Sequence, residues 1–474
     1  MKVAGRQVEI GILKRLLEQE TSAFLAVYGR RRVGKTYLIR QVYAHDMVFE
    51  CSGVLGRSMP QQLENFWRSL TEVNKEVPPP LPPKTWLEAF YQLRAYLSTQ
   101  DQHTKKVILL DEISWFETPR SGFLAALDNF WNQYCTKRND IVLVICGSAA
   151  SWIIEKVINN RGGLHNRITH QILLKPFTLG ETKAFFELNN VRLTLKDIAQ
   201  IYMCVGGVPF YLKDIKAGLS VPQILDHLFY DQQATLRNEF DNLYAALFKN
   251  HALHEKVVAA LSTKNKGLTR NEIIVSTGIK GGGGLSTVLQ ELTECGFIMP
   301  IYPIKKAKDD CLYRLMDEYT LFYFKFLKDS KPKSSWHQLA QSPAYKIWSG
   351  YAFENLCFRH TTQIKQALGI SGVITHEYSY TAKDSESKQG IQIDMIIDRA
   401  DNCVNVVEAK FYNTEFEVSA PYARELLHKA TVFKAQTKLR KNVFITLLTV
   451  FGAVKNEHYL SAVTNQLLID DLFL

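Results

Sequence analysis

Short apolar runs and one-faced helical stretches alternate along the first part of the chain. The runs are Ala23–Tyr28, Met47–Cys51, Val107–Leu110, Ile141–Cys146 and Gln171–Leu174. They are rich in β-branched residues and lack polar alternation, which predicts strands buried on both faces of a parallel sheet. The stretches between them are long enough for crossover helices. From about Leu179 to Tyr244 the pattern is helical, over Glu181–Asn189, Leu195–Met203 and Pro222–Tyr230, with Gly206, Gly207 and Pro209 as punctuation. A new unit begins near His251. His254–Leu261 is helical, Thr269 caps Arg270–Ser276, and Leu285–Cys295 is apolar on one face. Phe297–Ile304 and Cys311–Leu315 predict two strands around Lys305–Asp310.

Past the polar break Lys331–Ser335, a second α/β pattern follows. A helix is expected over Tyr345–His360, then strands near Val373–Tyr380, Ile391–Asp398 and Cys403–Phe411. A long basic helix, Ala423–Arg440, and a strand, Asn442–Val450, complete it. The proline-rich Val77–Pro83 suits a rigid surface connection. The expected domains are 1–178, 179–250, 251–330 and 331–474.

Composition narrows the class. A chain of 474 residues is too long for one core, and 46% hydrophobic residues exclude a disordered chain. No long uncharged apolar run is present, and the amphipathic N-terminus lacks a secretion-signal core, so the expectation is a cytoplasmic protein with no membrane association. Eight cysteines without a CxxC pair read as reduced, mostly buried thiols. His251 and His254 have a metal-like spacing but no partner ligands nearby, so zinc is not expected. The net charge of +10 permits a polyanionic partner.

Gly29-Arg30-Arg31-Arg32-Val33-Gly34-Lys35-Thr36 matches G-x-x-x-x-G-K-[ST] between a predicted strand and a helix opening at Tyr37. Glycine lets the backbone wrap phosphates with its N–H groups inward, and the helix N-terminus adds positive potential. Lys35 would reach the β- and γ-phosphates of ATP, and Thr36 would hold Mg²⁺. Lys106–Glu112 is an apolar strand ending in two carboxylates. Asp111 would bind the Mg²⁺ and Glu112 would polarise the attacking water.

On these motifs, residues from about Met1 to Tyr244 resemble the archaeal/bacterial ATPase family of AAA-related P-loop proteins, near the signal-transducing and initiator ATPases. The further marks are Gly5–Leu13, Ile145–Ser151, Asn166–Phe177 and Val205–Leu212. The resemblance implies that Ser148 senses the γ-phosphate and that an arginine, Arg167 or else Arg161, acts as a finger or sensor; in a homo-oligomer Arg167 would act in trans. It also implies a helical lid carrying Pro209 near the base. His251 to about Leu315 resembles the winged-helix domain that follows the ATPase in this family. A DNA-bound form would set Gly283–Cys295 in the major groove with Lys305, Lys306 and Lys308 on phosphates. The acids Glu291, Glu294, Asp309 and Asp310 weigh against that, and winged helices also bind proteins.

In the last segment Asp394 lies on one predicted strand. Glu408 and Lys410 stand two apart on the next, so they leave the same face. A hairpin can bring all three together. Two carboxylates can hold Mg²⁺, or Mn²⁺, and the ammonium can stabilise charge on phosphorus. Glu354 could add a third carboxylate. This arrangement resembles the PD-(D/E)xK nuclease fold, with Ile393 standing where that motif has proline. Lys434, Lys438 and Lys441 read as a phosphate-facing stripe. The expected architecture is α/β: a P-loop parallel sheet with a helical lid, a winged helix, then a restriction-endonuclease-like domain. The expected function is an ATPase controlling a metal-dependent DNA nuclease. The alternative is an ATPase switch whose later domains bind DNA or a protein partner without cleavage.

Overall fold

The computed structural model describes residues 3–75, 79, 81–159, 166–248, 250–302, 311–330, 335–383 and 390–474. Arg161, Lys305, Lys306, Lys308, Asp309, Asp310, parts of Val77–Pro83 and all of Lys331–Ser335 but its last residue lie outside them. Two compact units result, Met1–Pro176 and Phe177–Leu474.

In the first unit, strands β1 (Ala23–Tyr28), β2 (Met47–Ser52), β3 (Lys106–Asp111), β4 (Ile141–Gly147) and β5 (His170–Leu173) form one parallel sheet in the order β2-β3-β4-β1-β5. All five fall on the apolar runs of the sequence. β3 and β4 are buried along their whole length because helices cover both faces. One face packs aromatics, including Phe66, Trp86, Phe90 and Phe123, from the helices Met59–Val73, Trp86–Thr99 and Phe123–Gln133. The other packs Leu13, Leu16, Leu38 and Ile39 from Gln7–Glu18 and Lys35–Val42. The order inserts β4 between the phosphate-loop strand and the acid-bearing strand. The ends of three neighbouring strands therefore converge.

The second unit opens with the helices Leu179–Leu188, Leu195–Val205, Pro209–Leu212 and Val221–Phe229. Gly206 sits at φ 67°, and a Cβ on Gly207 would lie 2.0 Å from the carbonyl oxygen of Phe177. The glycine pair thus serves a close backbone approach. Next come the helices His251–Ser262, Arg270–Thr277 and Gly283–Glu294 with a three-stranded antiparallel sheet of β6 (Leu268–Thr269), β7 (Ile298–Ile301) and β8 (Leu312–Leu315), in the order β6-β8-β7. The short β6 was not expected from the sequence.

The final sheet holds β9 (Thr375–Lys383), β10 (Gly390–Arg399), β11 (Cys403–Lys410), β13 (Asn442–Thr449) and β15 (Asn465–Leu468), in the order β15-β13-β11-β10-β9. β12 (Phe416–Glu417) and β14 (Ala453–Val454) pair separately. In sequence, helix Pro343–Arg359 precedes the sheet and helix Ala420–Thr437 falls between β12 and β13. Ile301 of β7 packs with Ile393, Ile396, Val404 and Val406 in one core, so the second unit's sheets share apolar contacts.

Candidate functional site

The phosphate loop leaves β1 at Gly29 and enters its helix at Lys35. Gly29 has φ 142°, and a Cβ there would stand 2.3 Å from the carbonyl oxygen of Leu174. Arg32 and Gly34 also take positive φ, at 69° and 89°. These left-handed residues curl the loop tightly. Arg6 braces it, donating from Nη2 to the carbonyls of Val33 at 3.4 Å and Lys175 at 2.7 Å. Arg6 lies in the Gly5–Leu13 segment already singled out, but its bracing role is not legible there, because its partners are backbone atoms far along the chain.

Lys35 is 5% exposed. Its ammonium donates to the carbonyls of Gly29 and Arg30, at 3.1 and 3.0 Å, and to Ser148 Oγ at 3.1 Å. Ser148 follows β4 and donates in turn to Glu112, from Oγ at 2.6 Å and from its N–H at 3.1 Å. Glu112 is held at φ 48°, a strained setting for a non-glycine residue. Thr36 Oγ1 donates to Asp111 Oδ2 at 2.9 Å. The hydroxyl and carboxylate are hard oxygen donors at the foot of the loop, which suits Mg²⁺. The structure therefore joins Lys35, Thr36, Asp111, Glu112 and Ser148. Arg30, Arg31, Arg32 and Val33 form the loop between them, and Tyr37 is exposed on the helix.

Arg167 lies away from the phosphate loop of its own unit. It stands exposed in the turn before β5. The register Leu25–His170 and the bond from Thr169 N–H to the Phe24 carbonyl place that turn at the opening of β1. The phosphate loop leaves the other end, six residues on, or roughly 20 Å. An arginine side chain does not span that distance within its own unit. Pro209 lies in the second unit, at the first turn of Pro209–Leu212.

In the second unit a cleft of about 1030 Å³ is lined by Glu354, Asp394, Glu408, Lys410 and Lys429, among others. Asp394 lies one step beyond the Met395–Val407 pair of the β10–β11 ladder, beside Glu408. The β9–β10 register slips between Ile393 and Ile396, a bulge that spans Asp394 and Met395. Asp394 Oδ2 accepts from the Ala409 N–H at 3.1 Å. Glu408 is 1% exposed and accepts two bonds from Lys429 Nζ, at 3.0 and 3.1 Å. Lys410 Nζ lies 3.7 Å from Glu408 Oε2 and 5.2 Å from the Tyr422 ring centroid. Burial, and then the charge of Asp394, push the Glu408 carboxyl well up. The same causes raise Glu354.

Two departures from the sequence reading concern metal and anion binding here. Among the described residues no three His, Cys, Asp or Glu side chains converge as a ready-made metal cage. Glu354 faces the buried Arg314 of β8 at 3.6 Å, and Glu408 is held by Lys429. The oxygen donors of Asp394 and Glu408 remain chemically suited to a hard divalent cation. The lysine stripe is also broken. The helix ends at Thr437, Lys438 turns left-handed at φ 51°, and Lys441 pairs with Asp398 at 2.6 Å. Lys429 was missed because its partner lies 21 residues away on a strand.

All eight cysteines are free, and seven are buried. His254 Nε2 pairs with Glu291 at 2.7 Å and its ring stacks on Phe248. Among the described residues no helix is long and apolar enough to cross a membrane.

The first unit is thus a P-loop fold that gathers Lys35, Thr36, Asp111, Glu112 and Ser148 at one end of its sheet. Residues 4–215 match the family described as an ATPase domain predominantly from Archaea. An uncharacterized protein of Methanocaldococcus jannaschii, MJECL04, is 26% identical over 326 residues, 68% of each chain. Among solved structures, the Walker-type ATPase PABY2304 of Pyrococcus abyssi is similar, with 17% identity, 68% of this chain and 96% of that one covered, and a TM-score of 0.48. The ORC2 protein of Aeropyrum pernix, in ADPNP-ADP complexes, has 14% identity, coverage of 76% and 96%, and a TM-score of 0.42.

Proposed function

We propose that the first unit binds and hydrolyses ATP with Mg²⁺, and that the second unit's cleft is a metal-dependent DNA nuclease under its control. The observation that carries the first half is the chain of bonds from Lys35 through Ser148 to Glu112, beside Thr36 and Asp111. Loop N–H groups and Lys35 bind the phosphates. Ser148, bonded to both the cation and the carboxylate, reads the γ-phosphate. Glu112 orients the attacking water. Thr36 and Asp111 would hold Mg²⁺, which spreads the charge developing on the phosphates. Arg167 acts only from a second copy of the chain.

In the cleft, Asp394 and Glu408 would hold Mg²⁺ or Mn²⁺, which supplies an activated water. Lys410 neutralises charge on the phosphorus, and Lys429 orients Glu408. The segment His251–Leu315 follows winged-helix order, and its last helix exposes Ser286, Thr287 and Gln290, short polar side chains that can meet a groove.

The test incubates supercoiled and linear DNA with Mg²⁺ or Mn²⁺, with and without ATP. Cleavage should vanish in Asp394→Ala and Lys410→Ala; unchanged cleavage in both removes the assignment. A second reading, a switch that binds DNA or protein without cutting, is favoured by the ion pairs of Glu408 with Lys429 and Glu354 with Arg314. A salt-sensitive DNA complex with no cleavage under either metal selects it.

A further inference from the structure

Gly350 stands in the middle of the seventeen-residue helix Pro343–Arg359 and lines the cleft. Glycine at a helix centre is the most costly choice after proline. Packing within the chain does not call for it, since a Cβ there would meet nothing within 4 Å. It keeps a helical φ, so backbone strain does not call for it either. What remains is clearance on the cleft side. Next to it Tyr351 is half-buried and also lines the cleft. From the helix Ala420–Thr437, Arg424 and His428 line the same cleft. They are exposed and four residues apart, on one helix face.

We propose that the cleft takes an unpaired nucleic-acid strand, whose sugar-phosphate backbone passes against Gly350 while Arg424 and His428 hold its phosphates and Tyr351 stacks a base. This rests on the cleavage function proposed above and specifies its substrate. Lys410, Arg424 and Lys429 line the groove alongside the carboxylates Glu354, Asp394, Glu408 and Glu425, and cations beside an aromatic platform are the combination that binds single strands. The carboxylates at the floor are only 8% and 1% exposed, for Asp394 and Glu408. A flexible strand can lower a phosphate to that depth, whereas a duplex holds its backbones on a stiff cylinder. The volume, about 1030 Å³, is at the upper end of ordinary ligand pockets and accommodates a few linked nucleotides.

The experiment measures binding of labelled oligonucleotides to the full chain by fluorescence anisotropy in Ca²⁺, which occupies oxygen sites without supporting cleavage. Single-stranded DNA, single-stranded RNA and the matching duplex are compared. Variants are Gly350→Leu, Gly350→Ala and Arg424→Ala/His428→Ala. The expected result is single-strand binding at least about tenfold tighter than duplex. Gly350→Leu and the double variant should each weaken it about tenfold or more. Both Gly350 variants should melt at or above the parent temperature, because each improves the helix. A glycine needed only for the fold would give the reverse, lower melting with unchanged binding, and would overturn the proposal. Tighter duplex binding overturns it too. If metal-dependent cleavage is found but Gly350→Leu binds and cuts single strands as the parent does, the substrate proposal fails while the nuclease stands. If single strands bind in a Gly350-sensitive way and nothing is cut, the nuclease fails while the strand site stands. The DNA and RNA arms distinguish the two sources of strand.

Discussion

Ser148 grips both oxygens of Glu112, one through its hydroxyl at 2.6 Å and the other through its backbone N–H at 3.1 Å. The carboxylate is thereby fixed next to the Lys35 ammonium, which meets the same hydroxyl. Glu112→Gln keeps this geometry but loses the basic oxygen. ATP turnover, followed by phosphate release, should fall about a hundredfold or more while ATP binding persists. Lys35→Ala should instead abolish nucleotide binding, measured with a fluorescent ATP analogue.

Ser148→Ala leaves Glu112 on the backbone N–H alone. The lost hydroxyl bond to a charged group is worth about 1.5–3 kcal/mol. Turnover should fall about ten- to a hundredfold, and Ser148→Thr should restore part of it. Full activity in Ser148→Ala would remove the hydroxyl from the mechanism.

Lys429 is the buried counter-charge of Glu408. Lys429→Ala removes the nearer of two cations from a carboxylate that is 1% exposed, leaving Lys410 at 3.7 Å, which should destabilise the second unit by about 2–4 kcal/mol in chemical denaturation. The double variant Lys429→Met/Glu408→Gln should recover most of that loss. No recovery would mean that the lysine acts by packing.

Acidity should matter in a defined direction. Burial, with Asp394 adding, raises the Glu354 carboxyl to about 8 and that of Glu408 to about 7. Folded, these groups hold protons more tightly than in the unfolded chain. The metal-free protein should therefore gain stability as pH falls from about 8 to 6.5. Below that, buried His360 opposes the gain. Burial lowers it to about 4, so its contribution is full above its ordinary value of 6.5 and is lost as pH falls toward 4. Melting curves in EDTA at pH 8 and 6.5 check the first window. Glu354→Gln/Glu408→Gln should flatten it.

Gly207→Ala would drive a methyl to 2.0 Å from the Phe177 carbonyl oxygen, next to the bond from Phe177 N–H to the Gly207 carbonyl. A loss of about 1–3 kcal/mol is expected in the second unit. Gly350→Ala, which meets nothing, provides the contrasting control.

The sequence alone determined the elements whose signal is local. The five strands of the first sheet are apolar because both faces are covered, so they could be read directly. Gly29–Thr36 was legible because phosphate binding needs glycine, lysine and threonine at fixed spacing. Asp394, Glu408 and Lys410 were legible because a hairpin has a side-chain period of two. Tertiary structure decided what depends on distant segments meeting. The strand order set β4 beside both chemistry-bearing strands and so joined Ser148 to Lys35 and Glu112. The parallel register sent Arg167 to the far end of the sheet. Lys429 reached Glu408, Arg314 reached Glu354 and Arg6 reached Lys175 by packing. Such pairings carry no periodic trace along the chain, because a charge or a carbonyl is matched by whatever the fold brings within about 3 Å.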